Sequence, residues 1–177
     1  MGLAVLALVQ ITILDFDLPF HFSHQFIFFL TPFLAYNFIK FHQFLWKEID
    51  SIIKWLLFLI GFSAFGIFLF EGLGFYLPVS SWIILFFTLL LALLYCLPLP
   101  GFRWNFRGFK GLKIHLVALS WVLTTVFLPL SIYGLGMTEF SLAYAFQRYI
   151  FVIVATLPFE IRDMKLDDPN LSTWPQI

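Results

Sequence analysis

Charge is scarce in this chain: Asp, Glu, Lys and Arg make up 11% of its 177 residues, against 62% apolar ones. A soluble domain carries about a quarter charged residues, so the means to clothe a globular core in a water-compatible surface are missing. The outer surface must face lipid, which suits 26 Phe residues as well as it suits Leu or Ile. Basic excess is also missing: ten basic and ten acidic residues leave no net charge. Without a basic stripe to neutralise phosphates, nucleic-acid binding is excluded. Cysteine is reduced to Cys96. One thiol forms no internal disulfide, and zinc takes about four ligands, so Cys96 reads as a small side chain within an apolar run. No Walker loop, dinucleotide fingerprint or Ser-His-Asp arrangement is present, and no strict Gly-x-x-x-Gly pair marks a dimerisation face.

Long apolar runs are what the chain has. A helix needs about 20 apolar residues to cross the hydrocarbon core, and six segments qualify or come close: 2–15, 22–42, 52–70, 80–97, 112–133 and 141–159. The fold class expected is therefore all-α, a single transmembrane bundle of about six helices over 1–177. The first segment lacks the charged start and small-residue cleavage site of a signal peptide. It is expected to stay in place as a short or truncated first helix. The separators Asp15–Pro19, Lys47–Ser51, Glu71–Pro78, Pro98–Lys110 and Gly134–Thr138 carry turn chemistry. Ser80 and Ser81 after Pro78, and Thr138, are the expected N-caps. Pro32 and Pro129 fall inside helices and predict kinks whose freed carbonyls need neighbours. Trp82, Trp104 and Trp174 lie near expected boundaries, as an interfacial aromatic belt would.

Charge placement supports this map. The loops after the first, third and fifth helices carry Asp15, Asp17, Glu71 and Glu139 and no Lys or Arg. Lys40, Lys47, Lys54, Arg103, Arg107, Lys110 and Lys113 flank the loops after the second and fourth helices, and Arg162 and Lys165 follow the sixth. Cationic loops stay in the cytoplasm. The expectation is a multi-pass protein of the cell (inner) membrane with both termini cytoplasmic and the lipid bilayer as its first partner.

The densest charge cluster is the tail. Glu160, Asp163 and Asp167 are spaced three and four apart, so a continuing helix puts the three carboxylates on one face. Such carboxylates suit Mg²⁺, which takes one or two of them and fills its shell from substrate phosphates. Arg162 and Lys165 would meet remaining phosphate charge. The alternative is a solvated juxtamembrane tail whose mixed charges mark the membrane boundary.

Glu160-x-x-Asp163-x-x-x-Asp167, followed by Ser172-Thr173-Trp174-Pro175-Gln176, resembles the second aspartate motif of the UbiA family of intramembrane prenyltransferases. Leu157–Gln176 is similar in more detail to a Bacteroidetes-type UbiA-related group, with its Arg-Asp-x-x-x-Asp and Thr-x-Pro-Gln. Leu112–Trp121, continuing to Pro129, resembles that group's fifth helix. The resemblance implies about nine transmembrane helices around a cavity. It also implies transfer of a polyprenyl group from a diphosphate to an acceptor, with two aspartate motifs holding Mg²⁺ and the diphosphate. On this reading Glu160, Asp163 and Asp167 are the metal ligands, while Asn37, Lys40, Arg162 and Lys165 contact the diphosphate.

The chain departs from the family in two places. The first family motif, Asn-Asp-x-x-Asp-x-x-x-Asp, falls on Asn37 to Leu45, where Asn37 matches but Phe38, Phe41 and Leu45 occupy the aspartate positions. Half of the metal cluster is missing, and Lys40 would have to stand in for a metal's charge. The chain also stops at Ile177, before helices seven to nine, and so reads as truncated. The rival expectation is an inactive UbiA-like protein or fragment that binds lipid, isoprenoid or a membrane partner. The oligomeric state is not readable.

Arg148 stands with Gln147 about two turns into the sixth helix. A charge there costs about 2.5–3.5 kcal/mol on insertion scales, so it is expected to face an interior cavity or a partner rather than to snorkel outward. A transporter or channel built around Arg148 is the third class of function. It gains little from the sequence, which shows no repeat or paired broken helices. His21 and His24, with Asp15 and Asp17, read as a solvated external loop rather than a metal site.

Overall fold

The computed structural model describes residues 2–21, 24–25, 28–29, 32–33, 53, 60, 77–96 and 112–163. Among these residues every regular element is helical and no strand occurs. We number the elements α1 (Gly2–Asp15), α2 (Val79–Cys96), α3 (Leu112–Ile132) and α4 (Glu139–Asp163). α3 and the Glu139–Pro158 part of α4 are long and apolar enough to cross a membrane, whereas α1 and α2 are shorter apolar helices. The spans expected at 22–42 and 52–70 lie outside the described residues, apart from single helical positions such as 28, 33, 53 and 60. The loops expected around Lys47–Ser51 and Pro98–Lys110 lie outside them too.

Local chemistry sets the helix ends. At the end of α1, Leu18 N–H donates to Ile13 O at 2.9 Å and Asp17 N–H to Leu14 O at 3.3 Å. That pair of bonds is the Schellman closure, which needs a left-handed residue at its turn, and Asp17 supplies it with φ 50°. α3 ends the same way. Leu135 N–H reaches Leu130 O at 2.8 Å and Gly134 N–H reaches Ser131 O at 3.1 Å, with Gly134 at φ 73°. α4 opens on the expected cap: Ser141 N–H donates to Thr138 Oγ1 at 3.1 Å and Thr138 N–H to Ser141 Oγ at 2.8 Å. It is a reciprocal capping box with Ser in place of the usual Glu.

Two expectations need correction. Ser80 and Ser81 are not N-caps, because α2 begins at Val79, and Ser81 and Trp82 donate their N–H groups to Pro78 O. Proline's fixed φ and missing donor suit a helix start. Both serines fall inside the first turn, where their hydroxyls meet Ser131 Oγ at 2.8 Å. The last helix does not stop at 159: α4 passes through Pro158 and runs to Asp163.

The side-chain bonds fix how the helices lie. Ser80 and Ser81, at the start of α2, meet Ser131 at the end of α3. Tyr144, in the second turn of α4, donates to Asp15 at the end of α1. The C-terminal ends of α1 and α3 therefore share one end of the bundle with the N-terminal ends of α2 and α4. α3 is the central element, packed against α1, α2 and α4. Its apolar stretch is 56% buried, against 22% for α4, which lies at the periphery.

Apolar packing follows the four-residue spacing of one helical face. Val5, Val9 and Ile13 of α1 pack with Phe28, Leu85 and Leu128. Val122, Val126 and Leu130 of α3 form a second cluster with Ala145 of α4.

Proline breaks the regularity of α3 where the sequence says it should. Residues Leu123–Phe127 form a π-helical turn, with Leu128 N–H bonded to Leu123 O rather than to Thr124 O. Pro129 has no N–H for Thr125 O, four residues back, and its ring would press on that carbonyl. The wider turn moves the carbonyl aside. Thr12 Oγ1 of α1 then donates to Thr125 O at 2.7 Å, supplying the bond that proline cannot.

Candidate functional site

Two places carry chemistry: a buried cluster centred on Arg148, and the acidic end of α4. In the first, Arg148 is 6% exposed and lies on the face of α4 shared by Ser141, Ala145 and Val152, all buried. Its Nη2 donates to Tyr144 Oη at 2.6 Å and, at a longer 3.4 Å, to Thr12 Oγ1. The guanidinium carbon also stands 5.2 Å from the Tyr144 ring centre, within cation–π range. Each hydroxyl hands the polarity on. Tyr144 Oη donates to Asp15 Oδ2 at 2.7 Å, and Thr12 Oγ1 to the Thr125 carbonyl.

The result is a branched relay with the cation at its hub. One branch ends on the exposed carboxylate of Asp15, which faces the positive charge through the phenol. The other ends on the carbonyl orphaned by Pro129. Three helices, α3 through its π turn, thus meet around one side chain. Arg148 lies in the bundle interior, and its Nη2 has protein partners on α1 and α4. Tyr144, Thr12 and Asp15 were not among the site residues expected from sequence. Tyr144 had a signal, since a residue four positions before Arg148 shares its face. Thr12 and Asp15 had none, being 136 and 133 positions from Arg148 along the chain.

Other polar pairs cross between helices. His24 Nδ1 lies 3.2 Å from Tyr133 Oη, and the His21 and His24 rings pack edge-on at 5.3 Å. His24 is helical, not part of a loop. His115 Nδ1 bonds to Tyr149 Oη, joining α3 to α4, and Gln10 donates to Gln25. Among the described residues no group of three or more His, Cys, Asp or Glu side chains is placed to hold a metal.

At the other end of α4, Glu160, Arg162 and Asp163 sit on its last turn. Glu160 and Asp163 are three positions apart on continuous helix. Asp167 and Lys165 lie outside the described residues, as do Asn37 and Lys40. From Arg148 to Asp163 is about 22 Å along the axis, so the two places are separate sites. No protein-family model matches the chain, and no curated protein or solved structure is significantly similar to it.

Proposed function

We propose that this chain is a multi-pass membrane protein of the UbiA type that binds a polyprenyl diphosphate at the end of α4 and transfers the prenyl group to an acceptor. The observation that carries the reading is the run Glu160-x-x-Asp163-x-x-x-Asp167, which begins on the last helical turn of a span long enough to cross a membrane. In it Glu160, Asp163 and Asp167 hold Mg²⁺, while Arg162, Lys165, Lys40 and Asn37 contact diphosphate oxygens. Bound Mg²⁺ would supply positive charge to the diphosphate as it leaves the allylic carbon. In the proposed six-helix map two further crossings, at 22–42 and 52–70, lie between α1 and α2, and an even number of crossings is what the shared end of α1 and α2 allows.

Membranes containing the chain, supplied with a polyprenyl diphosphate, an aromatic acceptor and Mg²⁺, should release diphosphate. Asp163→Asn should lower that release by at least about 100-fold, the scale on which lost transition-state charge stabilisation is felt. Turnover indifferent to the substitution would remove the site assignment. A second reading has its own observation: Phe38, Phe41 and Leu45 stand where the family's first motif has aspartates. It makes the chain a non-catalytic relative that binds an isoprenoid or a membrane partner. Retained binding of the diphosphate with no release of product, by a folded protein, selects it.

A further inference from the structure

α4 has two faces of opposite character. Ser141, Ala145, Arg148 and Val152 are buried against the bundle, while Phe140, Phe146, Phe151 and Val154 are exposed, at 53–66% of their surfaces. The apolar exposure suits lipid. Gln147 does not: it is exposed and lies in the middle of that outward face, between Ala143 and Ile150 or Phe151. Eight residues separate it from Glu139, so it sits about 12 Å inside a span about 30 Å long. A Gln side chain is too short to reach the interface from there, and hydrocarbon offers its amide no partner.

We propose that Gln147 is the centre of a dimer interface, paired with Gln147 of a second copy of this chain. A carboxamide carries both donors and an acceptor, so it is its own complement. Two copies in one membrane share an orientation, and a two-fold axis along the membrane normal brings the same residue of each to the same depth. Each Nε2 then donates to the other's Oε1, and both amides are satisfied without a foreign partner. Ala143, one turn away and exposed, lets the backbones approach as small residues do at helix contacts in lipid. The dimer needs the membrane placement of α4 but not prenyl-transfer chemistry, so the two stand or fall separately.

The test uses the full chain. Labelled protein in liposomes, followed by single-molecule photobleaching over a dilution series, should bleach in two steps. Gln147→Leu should weaken association by roughly 3- to 20-fold, the range measured for interhelical polar contacts in membranes. In native membranes on a Cys96→Ala background, Gln147→Cys and Ala143→Cys should oxidise to a covalent dimer, and Val152→Cys on the buried face should not. Wild type that stays monomeric at every dilution overturns the proposal, as does a dimer unmoved by Gln147→Leu. Cross-linking of Gln147→Cys to a product of another size would show that a different protein occupies this face. Release of the chain by alkaline carbonate would remove the membrane placement and the dimer with it.

Discussion

Arg148 shows how a single charge is accommodated in an apolar bundle. Its guanidinium meets two hydroxyls and a phenol ring, and each hydroxyl has an onward acceptor. Removing the hub therefore undoes more than one bond. Arg148→Leu should cost about 1–3 kcal/mol, because Asp15 loses its counter-charge and the remaining hydroxyls lose a donor. Tyr144→Phe should cost less, about 1 kcal/mol, since the ring still lies under the cation and Thr12 still accepts. Reversible unfolding in mixed micelles would measure both. Equal costs would make Tyr144 the hub and Arg148 a bystander.

At the scale of the element, α3 couples a covalent fact to a distant partner. Pro129 denies Thr125 O its helical donor, and Thr12 replaces it from α1. The two residues should be energetically coupled. Thr12→Val alone leaves a buried carbonyl without its best donor and should destabilise by about 1–2 kcal/mol. In a Pro129→Ala background the backbone N–H returns, the turn can revert to α-helix, and the same substitution should cost well under half as much. Additive effects would break the link between proline and threonine. The pair also shows what the sequence could tell. A proline inside an apolar run announces a kink and an orphaned carbonyl, and the capping chemistry at Thr138 is local enough to read directly. The π turn and its donor are not local, since Thr12 lies 113 positions from Thr125. Ser80 and Ser81 misled for the same reason. They carry cap chemistry, but α2 has already begun at Val79, directly after Pro78, and Ser131, from another helix, claims their hydroxyls. The acidic motif at Glu160 was legible as a pattern, and the structure adds that the helix beneath it continues to Asp163.

The whole molecule has a polarity that its loops predict and its helix ends bear on. Asp15, Asp17 and Glu139 gather at the end where α1 and α3 finish and α2 and α4 begin, and no Lys or Arg lies between 133 and 147 or between 1 and 39. At the opposite end α2 finishes at Cys96, α3 begins at Leu112 and α4 finishes at Asp163, and the sequence next to those ends carries Arg103, Arg107, Lys110, Arg162 and Lys165. Basic segments resist translocation, so the basic end should face the cytoplasm. On a Cys96→Ala background, Asp17→Cys and Glu139→Cys should react with a membrane-impermeant maleimide in intact cells. Lys110→Cys and Lys165→Cys should react only after permeabilisation. The same pattern with the sides exchanged would keep the bundle and reverse its insertion, placing the acidic motif outside. That outcome would also separate Glu160 and Asp163 from any cytoplasmic pool of diphosphate substrate. Labelling of 17 and 139 from opposite sides would be more damaging. The Asp15–Tyr144 and Ser81–Ser131 bonds require those helix ends to lie together, and no inversion of the whole bundle can pull them apart.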